Sequence, residues 1–199
     1  MPYSKNHKAA VKQKITETAR ILFNRFGYEK VTIDQVMAMA GLTRGGFYNH
    51  FSSKEALFKA AVDGFLMGRG AQWREAAGID PEQLDAAAAR QMIDSYLSQA
   101  HLGDIEGQCP MIALPSDVAR ASTEVQQAYQ RLLEAMVFLF EHSLSQQTKT
   151  PEAAANRQQA LALAALCVGG MVLARTLPDS ALAEEVQQAA HLMATTMTQ

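Results

Sequence analysis

The chain has 199 residues and a formal net charge of −2, with 48% hydrophobic and 19% charged residues. This composition excludes a disordered chain, a collagen and a coiled-coil rod, and 12 glycines and 6 prolines are too few for a turn-rich all-β sandwich. One domain or two small ones fit the length, with enough chain to bury a core unaided. Two cysteines, Cys109 and Cys167, do not make a disulfide framework, so a reducing compartment is expected. No run reaches the ~18 consecutive apolar residues of a membrane span. The N-terminus lacks the apolar stretch of a signal peptide. The expected location is the cytoplasm, without a membrane partner.

In chain order the pattern is helical throughout, about nine helices in all. Val11, Ile15, Ala19, Leu22, Phe23 and Phe26 recur at helical spacing, and Gly27 supplies a stop. A second helix opens at Thr32, where Thr32 and Gln35 form a capping-box pattern, and it ends at Gly41. A third, short one runs from Thr43 to about Phe51. A fourth opens at a second capping box, Ser52 to Glu55, and is expected to continue past Trp73 to Gly78. Pro81 suits the first turn of a helix carrying Leu84 to Ala100. Gly103 to Pro110 reads as a break, and Met111 to Arg120 as a short helix complicated by Pro115. The next helix carries Val125 to Leu144, and Gln146 to Pro151 is a polar loop. Two helices close the chain, near Pro151 to Thr176 and Ser180 to Met197.

Charge is unevenly divided. Residues 1–60 hold ten Lys or Arg against four Asp or Glu, a net of +6, and the remaining residues carry −8. A basic head on an acidic body points to a polyanion partner for the head. Within that head, two short helices are joined by Ala40-Gly41-Leu42-Thr43, the length and chemistry of a helix-turn-helix. Gly41 suits a left-handed helix end, Leu42 a plug between the helices, and Thr43 a cap on the second helix. The N-terminal residues of that helix would face base edges in a major groove. Arg44 can bond guanine O6 and N7 together. Gly45 and Gly46 are poor helix formers whose use is close approach of backbone to DNA. Tyr48 and His50 carry donors suited to phosphate oxygens, whereas Phe47 and Phe51 read as core. Lys54, in a helix first turn, suits a bridged anion. Lys5, Lys8, Lys12 and Lys14 read as a solvated face or a mobile arm, with backbone or minor-groove contact as the alternative.

With these residues in view, the sequence resembles the TetR family of bacterial transcriptional repressors. The resemblance rests on Phe26 to Val36, Ala40 to Phe51 and Lys54 to Leu57, and covers about residues 8–66. It implies a helix-turn-helix DNA-binding domain over 1–52 and an effector-binding and dimerisation domain over 53–199. It also implies a homodimer bound to double-stranded DNA at a palindromic operator and released by a small effector. Carried over by position, Thr43, Arg44 and Gly46 fall where base or groove contacts occur, and Thr32, Tyr48, His50 and Lys54 where phosphate contacts occur. Gly45 and Asn49 complete the DNA-binding set. Gly46 is a departure, because many members carry Ser, Thr or Ala there.

For the body, Trp73, Met92, Tyr96, Cys109, Met111, Tyr129 and Phe138 are candidate effector-pocket residues, although aromatic and Met residues at helical spacing are commonly plain core. Such a lining suits a lipophilic or aromatic effector. Leu161 to Leu173 is apolar nearly all round, which implies burial on more than one side. Gly169 and Gly170 permit close helix approach. The resemblance puts Leu166, Gly169, Gly170, Leu173, Leu182, Val186 and Met193 in a four-helix dimer interface. An alternative trigger is redox or electrophile chemistry at Cys109, in Gly107-Gln108-Cys109-Pro110. An enzyme is not expected. The five histidines (His7, His50, His101, His142, His191) show no metal-ligand spacing, no nucleotide or nucleophile motif is present, and neither a cofactor nor a metal is implied.

Overall fold

In a computed structural model of the chain, which describes residues 5–147, 153–178 and 181–198, every regular element among the described residues is helical and none is a strand. In chain order these are α1 (Lys5–Phe26), α2 (Ile33–Met39), a 3-10 turn (Arg44–Asn49), α3 (Lys54–Asp63), α4 (Arg69–Ala76), α5 (Ala88–Tyr96), α6 (Gln99–Gly103), α7 (Pro110–Ala113), α8 (Pro115–Ala119), α9 (Thr123–Gln147), α10 (Ala153–Thr176) and α11 (Ala181–Thr196). The all-α class holds, with eleven α-helices and the 3-10 turn where about nine helices are expected. The polar loop up to Pro151 and the start at Ser180 lie outside the described residues, except at the loop's first positions, which belong to α9.

The extra elements come from local competition for backbone groups. The helix expected from Ser52 to Gly78 breaks at Gly64, and α4 restarts after Gly68. Pro81 does not start a helix. Asp80 Oδ1 accepts the Glu82 N–H at 2.9 Å and Asp85 Oδ1 accepts the Ala87 and Ala88 N–H groups, so side-chain-anchored turns occupy this stretch and α5 begins at Ala88. Ser98 accepts the His101 N–H at 3.1 Å and opens α6. Pro115 splits the expected 111–120 helix into α7 and α8, each with its proline in the first turn, where no N–H is required.

The chain divides into two compact units: residues up to 67 with 105–130, and 68–104 with residues from 131 onward. In the first, α1 buries Ile15, Ala19 and Phe23 against α2 and α3. Phe23, Tyr28 and Phe58 form one aromatic cluster, with Tyr28 stacked 4.6 Å from Phe58. Gly27, at φ +80°, ends α1, and its N–H donates to the Phe23 carbonyl at 2.8 Å. Arg20 is buried on α1. Its guanidinium donates to the Glu17 carboxylate and, at 2.6 Å, to the Glu106 carbonyl. Asn24 donates to the carbonyls of Glu106 and Gln108. Asp117 accepts the Tyr28 N–H at 3.1 Å and Glu55 accepts the Ser122 N–H at 2.9 Å, which ties α8 and the start of α9 to the same core.

In the second unit α10 packs along α11. By length and composition Ala155–Thr176 suffices to cross a membrane, which run-counting of apolar residues does not reveal. Its inner face, Ala160, Leu163, Ala164, Cys167, Met171 and Ala174, is instead buried in the protein. Gly170 is buried in this seam, where a Cβ would lie 2.5 Å from Ala190 Cβ of the same chain. Within one chain, then, this glycine permits close approach of α10 and α11. Gln187, buried on α11, donates to the Leu97 carbonyl at 2.9 Å and pairs with Gln99.

His101 is buried between Trp73 and Tyr96, with ring centroids 3.8 Å and 4.9 Å away. Its Nδ1 lies 2.8 Å from the Tyr96 carbonyl, so the Nδ1–H tautomer donates there. Burial holds the imidazole down to about 4, against smaller opposing effects of the Tyr96 hydrogen bond and Asp104.

Two outcomes follow for stability. Gly170→Ala lowers unfolding free energy by about 1–3 kcal/mol in urea melts, and Ala190→Gly in the same chain restores part of it. Between about pH 6.5 and pH 4 the unfolded chain protonates His101 and the folded one does not. Stability therefore falls as pH drops through that window, by up to about 3 kcal/mol from this group. In His101→Gln the difference between melts at pH 7 and pH 5 shrinks.

Candidate nucleic-acid interface

The helix-turn-helix is held from its inner side. Thr32 Oγ1 accepts the Gln35 N–H at 3.2 Å and Gln35 Oε1 accepts the Thr32 N–H at 2.8 Å, the capping box read from sequence. Gly41 takes φ +68°, and Leu42 donates its N–H to the Met37 carbonyl at 2.8 Å. Leu42 itself is half-buried rather than a full plug. Phe47 is fully buried and Phe51 nearly so, which anchors the following segment in the core.

That segment is a 3-10 turn, not an α-helix. Its bonds run three residues back, as from Gly46 N–H to the Thr43 carbonyl at 3.0 Å and from His50 N–H to the Phe47 carbonyl at 2.9 Å. Two adjacent glycines favour this, since neither contributes helix propensity. Thr43 occupies the N-cap with extended backbone, but its side chain makes no capping bond. At α3 the cap is Ser53, whose Oγ accepts the Ala56 N–H at 3.0 Å. The Ser52–Glu55 box is not formed, because the Glu55 carboxylate is taken by the Ser122 N–H.

Thr32, Thr43, Arg44, Gly45, Tyr48 and Asn49 are exposed, and Gly46, His50 and Lys54 are half-buried. Tyr48 is 62% exposed beside the fully buried Phe47, with the two rings edge to face at 5.2 Å. Arg44 Nη1 lies 2.6 Å from Asp34 Oδ2. Lys54 Nζ lies 4.2 Å from the Tyr28 ring centroid and donates to the Glu29 carbonyl at 3.3 Å. Partial burial lowers the Lys54 ammonium, with Glu29 and Asp117 opposing.

The basic face of α1 borders this segment. A cleft of about 430 Å³ is lined by His7, Lys8 and Val11 of α1, by Met37 and Leu42, and by Thr43, Gly46, Asn49 and His50. From Lys5 onward the basic N-terminus is helical, so Lys8 and Lys12 belong to a fixed helix face rather than a mobile arm. Lys12 Nζ lies 5.3 Å from the Phe51 ring centroid. The available signal was the four-residue spacing of Lys8 and Lys12 in phase with the apolar stripe. His50 Nδ1 is buried without a hydrogen-bond partner, and burial followed by the charges of Lys8, Lys12 and His7 lowers the imidazole.

The pocket candidates fall in both units. In the first, Cys109 and Met111 are buried, and Tyr129 donates to the Met111 carbonyl at 3.2 Å. Burial, with Cys109 nearby, pushes that phenol up to about 12. In the second, Trp73 and Tyr96 meet edge to face at 6.3 Å, and Met92 is half-buried on α5. His101 joins the two aromatics, a member that scattered histidines did not suggest. Phe138 is 60% exposed and stacks on His142. Burial pushes the Cys167 thiol up to about 12. Of the interface candidates, Leu173, Leu182 and Met193 are exposed, and Leu166, Gly169 and Val186 are half-buried.

A Cβ added at Gly45 meets nothing within 4 Å, and its φ is not in the left-handed region. The fold therefore does not require glycine there. Gly45→Ala raises the urea midpoint, by about 0.5–1 kcal/mol in unfolding free energy.

Residues 15–61 match the family model of bacterial regulatory proteins, tetR family. The chain is 39% identical over 57 residues to the HTH-type transcriptional repressor Rv1474c of Mycobacterium tuberculosis, a match covering 29% of this chain and 30% of that protein. The matches thus span less than half the length of the curated relatives. Over nearly the whole chain the fold is that of solved regulators. The reduced form of Escherichia coli NemR superposes with a TM-score of 0.74 at 18% identity, covering 94% of this chain and 96% of that one. A TetR-family transcriptional regulator from Cytophaga hutchinsonii gives 0.76 at 17% identity, covering 98% of both. At such identities the likeness is one of fold.

Proposed function

We propose that the chain, whose residues 15–61 match the TetR-family model, is a ligand-responsive transcriptional repressor of that family that binds a palindromic operator as a homodimer. The observation that carries the reading is the two-sided recognition turn. Phe47 and Phe51 lock one side into the core, and Arg44, Gly45, Tyr48 and Asn49 stand exposed on the other. A rigidly backed, exposed set of donors is what groove reading needs, because each bond to DNA then costs little ordering entropy.

In this reading Arg44 reads guanine and Thr43 and Gly46 line the groove. Thr32, Tyr48, His50 and Lys54 bind phosphates, with the α1 residues Lys8 and Lys12 adding charge beside them. Gly45 lets the backbone approach the DNA. The exposed apolar residues Leu173, Leu182 and Met193, with Leu166, Gly169 and Val186, support a second copy of the chain as partner for α10 and α11. Two recognition turns about one DNA turn (~34–36 Å) apart would then meet a palindrome. The effector is a small lipophilic or aromatic molecule, in keeping with the aromatic pair Trp73 and Tyr96 of the second unit. It acts by its differential affinity for the DNA-binding and released states. Cys109 is 3% exposed and has no part in this reading.

The test is fluorescence-anisotropy binding at fixed salt to the DNA flanking the protein's own gene, against a random duplex. Tyr48→Phe weakens binding to both DNAs alike, by about threefold to tenfold for one lost hydrogen bond. Arg44→Ala also erodes the preference for the specific site, by about 1–3 kcal/mol. Gly45→Ala binds DNA more weakly although its fold is more stable. Equal losses on both duplexes for Arg44→Ala would remove the base-reading role.

A further inference from the structure

The acidic residues of the head whose side-chain partners are described have separate uses. Glu17 pairs with buried Arg20, and Glu55 takes the Ser122 amide. Asp34 is different. It is half-exposed in the first turn of α2, and its Oδ2 accepts a hydrogen bond from Arg44 Nη1 at 2.6 Å. An acid at the first turn has an ordinary use in complementing the helix dipole. That use does not require it to meet the guanidinium proposed to read DNA.

We infer that Asp34 is a specificity-determining residue that acts through Arg44, its carboxylate positioning the guanidinium for guanine and penalising DNA that offers no guanine. This rests on the base-reading role proposed for Arg44. The geometry suits it on both sides. The Thr32–Gln35 capping box fixes the turn of α2 that carries Asp34. The 3-10 turn that begins at Arg44 is fixed by buried Phe47. The bond to Asp34 uses one of the five guanidinium N–H groups, which leaves enough of the fork for a two-bond contact to guanine O6 and N7. On a matching base pair Arg44 serves base and carboxylate together. On a mismatch the guanidinium must turn to a phosphate, which leaves Asp34 as an uncompensated negative charge beside the polyanion. Because both partners are exposed, the pair is weak enough for DNA to open or share.

The experiment uses the full-length protein and two probes, a short duplex selected by the protein from a randomised pool and a random duplex of equal length. Asp34→Asn keeps the shape and removes the charge. It raises affinity for the random duplex and lowers the selected-to-random ratio about fivefold or more, while Asp34→Glu keeps most of the ratio. In an Arg44→Ala background Asp34→Asn leaves the ratio where Arg44→Ala put it. Urea melts of each variant separate this from loss of the helix start, which would lower stability without depending on Arg44. A ratio unchanged by Asp34→Asn, or lowered equally with and without Arg44, overturns the inference. If Arg44→Ala itself leaves the ratio intact, the base-reading assignment fails first, and the two failures are thereby distinguished.

Discussion

Arg20 and Asn24 carry the first unit. Both point inward from α1, and between them they satisfy the carbonyls of Glu106 and Gln108. A buried guanidinium without such partners would be costly, so once Arg20 is placed in the core the 106–108 backbone must come to it. That requirement brings α7 and α8 onto the head, more than 80 residues away in sequence. Asp117 and Glu55 then accept the amides of Tyr28 and Ser122 and close the same surface. The unit that bears the recognition turn is therefore larger than a three-helix head, with α1 as its spine.

On that spine the recognition turn is a compromise between folding and contact. Phe47 and Phe51 supply the burial that holds it, and Gly45 and Gly46 weaken it locally. The fold has room for a side chain at Gly45, so the glycine's cost is not explained within the free protein. In the DNA-binding role proposed above, close approach of the turn to a phosphate accounts for it. The cleft formed with His7, Lys8 and His50 extends the basic surface onto α1 and keeps the His50 imidazole below its usual range.

The second unit shows how one apolar helix can have two kinds of face. Gly170 brings α10 against Ala190 of α11, and the buried stripe from Ala160 to Ala174 follows from that approach. The opposite residues, Leu161 and Leu173 with Leu182 and Met193 of α11, stay exposed in the single chain. Two neighbouring glycines thus separate: Gly170 serves the seam within the chain, and Gly169 has open space over it.

Much of this was legible in local sequence, because local physics decides it. Helical periodicity, the stop at Gly27, the Thr32–Gln35 box and the turn at Gly41 need only neighbours within a few residues, and the apolar character of Phe47 and Phe51 marked them as core. The basic head and its motif pointed to DNA for the same reason. What sequence did not reveal were choices between equally good local options. Ser53 caps α3 because Glu55 is needed by Ser122. Side-chain-anchored turns at Asp80 and Asp85 displaced a helix start at Pro81. Asp34 met Arg44, His101 entered an aromatic cluster, and Gly170 found Ala190. The aspartate turns are local alternatives of similar strength, whereas Ser122 for Glu55, Arg44 for Asp34, Trp73 for His101 and Ala190 for Gly170 are partners brought near only by folding, at separations from ten to tens of residues where spacing carries no signal. The sequence by itself determined the all-helical class and the residue chemistry of the turn after Gly41. Tertiary packing decided which side chains were used up inside the protein and which were left to meet something else.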